Sequence, residues 1–342
     1  MLMQSIAPKE FLKTSNEIPI LDVRSPSEFA TGHLPSAISF PIFSDNERAV
    51  IGTLFKKEGP KPATKKGLGI VGPKLVDFIE QAEKLGVAEF RMYCWRGGMR
   101  SQSMATLLES YGFKVVLLKG GYKAYRNFII EYFSAQLPIK VITGYTGSKK
   151  TAFLYLLKTQ GAQIVDLEGL ANHQGSSFGN QKSMSQPTTE QFQNMLLDEF
   201  LKLDLRKPVF IEDESMRIGQ VNVPEVFYQQ KSNSPHIFLE IDKAERVEFL
   251  KEDYKNLSAE QLILATEGIS KKLGLELAAE AIECIKLGHG TRAAEIILTY
   301  YDRQYHKSIS NKKHLIHDHF KIEMSELESL AKKITLGTEN AV

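Results

Sequence analysis

Tyr93-Cys94-Trp95-Arg96-Gly97-Gly98-Met99-Arg100-Ser101 places a lone thiol at the mouth of a glycine-rich loop that closes on an arginine. The run Phe90-Arg91-Met92-Tyr93 before it predicts a strand, and residues 101–108 after it predict a helix. The thiol is therefore expected on a strand-to-helix turn. Glycines let the backbone curl until successive N–H groups converge on one centre. Those dipoles, Arg96, Arg100 and the start of the helix all favour a negatively charged sulfur. The pattern points to a nucleophilic Cys94 rather than an inert core cysteine.

Around that turn the first part of the chain alternates strand and helix patterns. Residues 18–24 read as a strand ending in charge, 25–29 as an N-capped helical turn, and 38–41 as a second strand. Residues 71–85 then read as helix, 91–93 as strand, 101–111 as helix and 114–118 as strand. Such alternation predicts an α/β fold with a parallel sheet covered on both faces, and ligands in such folds bind beyond the carboxyl ends of the strands, where Cys94 falls.

A second phosphate-type turn follows a new strand. A helix over 122–135 leads through Leu137-Pro138 into a strand at 139–142, and then to Gly144-Tyr145-Thr146-Gly147-Ser148-Lys149-Lys150-Thr151. This approximates a P-loop, in which backbone N–H groups wrap phosphates, a lysine reaches the outer oxygens and a hydroxyl faces magnesium. Lys150 and Thr151 fit, with residues 152–158 as the helix. Lys149 stands where the second glycine belongs, and a side chain there costs about 1–2 kcal/mol if φ must be positive. Residues 207–215 read as an apolar strand ending in Glu212-Asp213-Glu214, and 236–241 as another core strand. Residues 166–180, which include His173, read as a long loop at the phosphate end of the sheet. Residues 243–330 read as mainly helical. The expected domains are 1–136 and 137–342, the second P-loop NTPase-like with a helical C-terminal part.

Composition sets the outer limits. The 342 residues, 42% apolar and 25% charged, suffice for two domains with real cores. No apolar run nears the ~20 residues that span a bilayer, so no membrane partner is expected. Cys94 and Cys284 are far apart in sequence, and the opening MLMQSIAPKEFLK lacks a long apolar stretch. The expectation is a cytoplasmic, reducing setting without a signal peptide. No His and Cys grouping has zinc-site spacing. A net charge of +2 neither demands nor excludes nucleic acid.

Leu21-Asp22-Val23-Arg24, Glu28-Phe29, Gly32-His33-Leu34-Pro35-Ser36-Ala37, the Cys94 loop and Lys119-Gly120-Gly121-Tyr122 together resemble the rhodanese domain. The resemblance implies that Cys94 carries a chalcogen and that Asp22, Arg24 and His33 buttress its loop. Cys94 and Arg100 also have the five-residue separation of cysteine-arginine phosphatases, the runner-up chemistry, although no leaving-group acid is identifiable. Such a loop suits a phosphorylated donor.

The two domains combined, with Gly120-Gly121-Tyr122-Lys123-Ala124-Tyr125-Arg126, Asp166-Leu167-Glu168-Gly169-Leu170-Ala171-Asn172-His173 and Glu212-Asp213-Glu214-Ser215, resemble the tRNA 2-selenouridine synthase family. That resemblance implies a transferase that replaces sulfur by selenium in wobble 2-thiouridine of tRNA, with selenophosphate as donor. It also implies an S-geranylated intermediate made from geranyl diphosphate. Cys94 is then catalytic, and Trp95, Arg96, Gly97, Gly98, Met99 and Arg100 form the chalcogen loop. Gly144, Gly147, Ser148, Lys150 and Thr151 hold the diphosphate. Lys123, Tyr125, Arg126, Lys149, His173, Glu212 and Asp213 are candidate second-site or tRNA contacts. No tightly bound cofactor is expected, magnesium near Thr151 is compatible with the pattern, and an enzyme that makes selenophosphate is a candidate partner. The alternatives are a rhodanese-type persulfide carrier and a nucleotide-dependent kinase with an inert rhodanese module.

Overall fold

Each of the two strand-to-helix turns sits at the carboxyl end of a central parallel strand. The computed structural model describes residues 4–13, 17–173, 185–255 and 257–339. Its chain separates into one unit of residues 1–134 with 193–198 and another of residues 135–192 with 199–342.

In the first unit, β1 (Gln4–Ile6), β2 (Ile20–Asp22), β3 (Ala37–Ser39), β4 (Glu89–Tyr93) and β5 (Lys114–Leu118) form one sheet in the order β1-β5-β4-β2-β3. Every pairing is parallel. Leu21, Phe90, Met92, Val115 and Leu117 feed a core that also holds Met104, Ala105 and Leu108 of the helix Met99–Tyr111. Removing such side chains from water at about 25 cal/mol per Å² is what holds a sheet and helix together.

The sequence pattern did not reveal two helices, Asp45–Glu58 and Pro60–Val71. The first buries no residue fully and sets only a partly buried Ile51 against the core, so its apolar stripe is weak. Its ends are set by local chemistry instead. Ser44 and Glu47 exchange backbone and side-chain hydrogen bonds as a capping box, and Gly59 at φ +90° stops the helix before Pro60 opens the next. The helix expected over 71–85 begins only at Leu75, behind a tight turn at Gly72–Lys74.

The second unit contains β6 (Ile139–Gly144), β7 (Gln163–Val165), β8 (Val209–Glu212), a small hairpin of β9 (Arg217–Ile218) and β10 (Val221–Asn222), then β11 (His236–Glu240) and β12 (Ile316–Lys321). Its main sheet has the order β12-β11-β6-β8-β7, again parallel throughout. Four helices fill Lys243–Asp253, Ala259–Leu273, Leu275–Lys286 and Gly290–Lys312. Strand β12 interrupts the region expected to be mainly helical. It is an edge strand whose His317, Asp318 and His319 are exposed, so it lacks the apolar run of a central strand. The helix Leu327–Glu339 packs Leu327, Leu330 and Ala331 into the core beside Phe153, Leu154 and Leu157 of the P-loop helix. Among the described residues no helix is long and apolar enough to cross a membrane.

Candidate active sites

Cys94 follows β4 directly, and the helix Met99–Tyr111 begins five residues later with Gly98 as its N-cap. The cysteine is 3% exposed. The hydroxyl of Ser101, itself fully buried, donates to Cys94 Sγ at 3.1 Å and also lies 3.2 Å from the Gly98 carbonyl. One hydrogen faces two acceptors. A protonated thiol can give its own hydrogen to Gly98, 3.9 Å away, whereas an anionic sulfur takes the Ser101 hydrogen.

The turn before the helix Gly121–Ser134 closes the loop from behind. Tyr122 N–H donates to the Cys94 carbonyl at 2.8 Å, and Lys123 N–H to the Trp95 carbonyl at 2.9 Å. Gly121 has φ +62°, and a Cβ there would lie 2.3 Å from the Cys94 carbonyl oxygen and 2.5 Å from the Gly97 nitrogen. Only glycine fits. Asp22 and Arg24 form a buried ion pair at 2.6 Å, and Arg24 also donates to the Gly32 carbonyl and stacks 3.9 Å from the Tyr122 ring centroid. His33 stacks on Phe29. Asp22 and Arg24 thus back Tyr122, whose N–H holds the Cys94 carbonyl, while His33 packs against Phe29.

Arg100 is engaged elsewhere. Its guanidinium donates to Glu28 at 2.6 and 3.4 Å. Burial pushes the Glu28 carboxyl up, but the hydrogen bond and charge of Arg100 outweigh it and hold the group below the usual range. An arginine held by a carboxylate departs from the phosphatase arrangement, in which it faces the anion unpaired. Arg96 and Met99 are exposed, and Trp95 is half-buried against Tyr122.

In the second unit β6 runs into the loop that ends at the helix Lys150–Thr159. Gly147 has φ +82°, and Arg246 backs it so closely that a Cβ would sit 3.2 Å from that residue. Lys149 adopts φ 54°, ψ 35°, the left-handed conformation that a glycine would take without strain. Its ammonium lies 5.0 Å over the Phe249 ring. Ser148 is buried and donates to the Tyr145 carbonyl at 2.7 Å. Lys150 reaches back to the Gly144 carbonyl at 3.1 Å. Burial pulls its ammonium down, but Tyr305, Glu214, Glu212 and Glu168 push it above its ordinary value, so it stays charged.

Thr151 donates to Glu212 Oε2 at 3.0 Å. Glu212 is 1% exposed, and its Oε1 has no hydrogen-bond partner. Glu168, Glu212 and Glu214 bring carboxylate oxygens within 4.8 Å of one another. Burial first, then Glu168 and Glu214, raise the Glu212 carboxyl to about 8 against Lys150 and Thr151. Burial and Glu168 likewise raise Glu214 to about 7. Asp213 points the other way, accepting from Thr143 at 3.1 Å and from the fully buried Lys231 at 3.4 Å.

Sequence reasoning missed several of these partners. Arg246 is 4% exposed, donates to the Thr146 carbonyl and pairs with Asp302 at 2.8 Å, so it braces the P-loop from a distant helix. Tyr305, Lys231 and the role of Glu168 also depend on contacts across tens of residues, which no local motif announces. The first part of the expected 166–180 loop is a helical turn, Leu167–Leu170, with Asp166 as its cap; residues 174–180 lie outside the described residues. His173 donates its backbone N–H to the Glu168 carbonyl, and burial pulls its imidazole below the ordinary value. Lys123 is exposed. Tyr125 is 1% exposed, which leaves its ring no free face for a base. Arg126 donates to Asn194 at 2.7 Å and to Gln193, within the segment that folds with the first unit.

Residues 137–335 match the family model described as the tRNA 2-selenouridine synthase AAA domain, and residues 7–128 match the rhodanese-like domain. The tRNA 2-selenouridine synthase of Nitrosomonas europaea is 38% identical over 252 residues, 70% of this chain but 64% of that relative's own length. The Bdellovibrio bacteriovorus protein of the same name is 35% identical over 321 residues, 87% of this chain and 83% of that protein. That of Shewanella woodyi is 32% identical, covering 86% and 89%. With a cysteine loop and a P-loop in the matched order, the chain belongs to the tRNA 2-selenouridine synthase family.

Proposed function

We propose that this chain replaces sulfur by selenium in the wobble 2-thiouridine of tRNA, using selenophosphate and passing through an S-geranyl intermediate made from geranyl diphosphate. The observation that carries the reading is the presence of two anion-suited loops in one chain, one built around Cys94 and one around Lys150 and Thr151. Two phosphorylated substrates account for both.

In the first half-reaction the thio sulfur attacks C1 of the geranyl group. A carbon–sulfur bond forms, the carbon–oxygen bond breaks and diphosphate leaves with the electron pair. Lys150 and the loop N–H groups after Gly144 and Gly147 offset that charge. Alkylation turns a poor leaving group into a thiol that can depart. In the second half-reaction selenium adds at the same ring carbon and geranyl thiol leaves.

Selenium in selenophosphate is already at the selenide level, so its release requires cleavage of the phosphorus–selenium bond and no oxidant. Cys94 suits that step. Its loop holds the donor while water attacks phosphorus: a phosphorus–oxygen bond forms, the phosphorus–selenium bond breaks and selenide departs with the electron pair. Ser101 donates to the sulfur while it is anionic.

A divalent cation, common in P-loop sites, fits the donors present: Glu212 Oε1 is a buried oxygen without a partner, and Glu168 and Glu214 add two more hard ligands. Bound there, it would neutralise part of the diphosphate charge.

The two half-reactions separate the roles. With a 2-thiouridine tRNA, Cys94→Ala is expected to accumulate the S-geranyl nucleoside without selenium, and Lys150→Ala to form neither product. Selenation at the normal rate by Cys94→Ala protein contradicts the assignment.

A further inference from the structure

Between β3 and β4 the first unit carries the helical pair Asp45–Glu58 and Pro60–Val71, whose turn concentrates cationic charge. Lys56, Lys57, Lys61, Lys65 and Lys66 are all exposed, against the single Glu58, in a chain whose total charge is only +2. None of the five lysines has an ion pair among the described residues. The buried face of the second helix is Ala63 and Gly67, so Lys61 and Lys65, one turn apart, project from the opposite side. Phe55, 52% exposed, stands beside these lysines. A half-exposed aromatic among unpaired cations is the combination that binds nucleic acid backbone and unstacked bases.

The pair is also fastened to the Cys94 loop. Ser27 donates to Asp45 at 2.6 Å, at the start of the first helix. Glu28 holds Arg100 of the loop at 2.6 Å and Arg48 of the first helix at 3.7 Å. Thr64 of the second helix lies 3.8 Å from Met99 Sδ. A polyanion bound to these lysines is therefore held on the helical pair that touches Met99 of the Cys94 loop.

We infer that this lysine-rich helical pair is the docking surface for the tRNA substrate, gripping its phosphate backbone while Phe55 offers a stacking face. The inference rests on the proposed tRNA reading and adds to it where the RNA sits. Each lysine neutralises a phosphate and releases counterions, so the surface acts on affinity and salt dependence and not on the chemical step.

The test measures tRNA binding by the full chain between 50 and 200 mM salt, which are the conditions chosen. A protein with all five lysines changed to Ala is compared with one in which all five are Arg. Loss of five phosphate contacts lowers the slope of log K against log salt by roughly 4–5 and the affinity at least about tenfold at 0.1 M salt. The Arg protein retains both, whereas in the Ala protein selenation at saturating tRNA keeps its rate while KM rises. An Ala protein with unchanged affinity and slope, alongside a wild type that selenates tRNA, overturns the docking surface alone. A wild type that ignores tRNA overturns both readings. So does one that binds phosphatidylserine-containing vesicles through these lysines instead.

Discussion

Thr151 gives its hydroxyl hydrogen to one oxygen of Glu212 at 3.0 Å, while the other oxygen of that carboxylate is buried without a hydrogen-bond partner. Such an atom is stabilised by a cation or by a proton. Magnesium is accordingly expected to raise the melting temperature, by about 2.7 kcal/mol of stability at a hundredfold excess over Kd. Glu212→Gln protein is expected to lose that response. A magnesium shift that survives the substitution contradicts the assigned ligand.

The same carboxyl makes stability depend on pH when a chelator is present. Its folded value of about 8 lies above the ordinary 4.5, and Glu214 is raised in the same direction. The folded state thus binds protons more tightly than the unfolded one. This contribution is fully present below pH ~4.5 and is lost as pH rises through about 8. Denaturant titrations across that window are expected to show falling stability, with a shallower slope for Glu212→Gln. An identical slope would remove Glu212 as the source.

Gly121 is irreplaceable where the backbone of the following turn meets the Cys94 loop. Gly121→Ala puts a methyl group 2.3 Å from the Cys94 carbonyl and forces φ +62° on an L side chain. A loss of about 2–4 kcal/mol is expected from overpacking and strain together, read as a lower denaturant midpoint for the first unit. Wild-type stability in this variant contradicts the packing described.

Ser101→Ala removes the hydroxyl that supports an anionic sulfur at Cys94. One such hydrogen bond contributes roughly 0.5–1.5 kcal/mol, so iodoacetamide labelling of Cys94 at fixed pH is expected to slow about 2- to 10-fold. Ser101→Thr, which keeps the donor, should restore much of the rate. Equal labelling of the Ala and Ser proteins would show that the contact leaves reactivity untouched.

Lys231 is fully buried between Asp213 and the Glu214 carbonyl, which it meets at 3.4 and 2.7 Å. Lys231→Met removes the buried cation that faces Asp213, and roughly 3–5 kcal/mol is the expected cost. Adding Asp213→Asn should recover part of it. A single variant as stable as the wild type would mean that the pair carries no net weight.

What the sequence displayed and what it hid have physical causes. The strands around Cys94 and Gly144 were legible because buried parallel strands are short apolar runs and because glycine spacing marks each loop. The structural role expected of Asp22 and Arg24 came from the rhodanese resemblance. The helices between Ser44 and Gly72 were passed over because their apolar faces are weak, although the Ser44–Glu47 capping box and Gly59-Pro60 mark their ends. Edge strand β12 was concealed by its exposed polar residues. Arg246, Tyr305 and Lys231 act through partners distant in sequence, so only folding brings them to the P-loop. Arg100 looked available to an anion because nothing local announces Glu28, 72 residues away.

The most direct test of the account is nucleoside mass spectrometry of 2-thiouridine tRNA incubated with this protein, geranyl diphosphate and selenophosphate, each substrate omitted in turn. The account predicts 2-selenouridine with both present, the S-geranyl nucleoside when selenophosphate is withheld, and no selenium when geranyl diphosphate is withheld. Unchanged tRNA under all conditions, with ATP consumed or sulfur loaded on Cys94 instead, would contradict it.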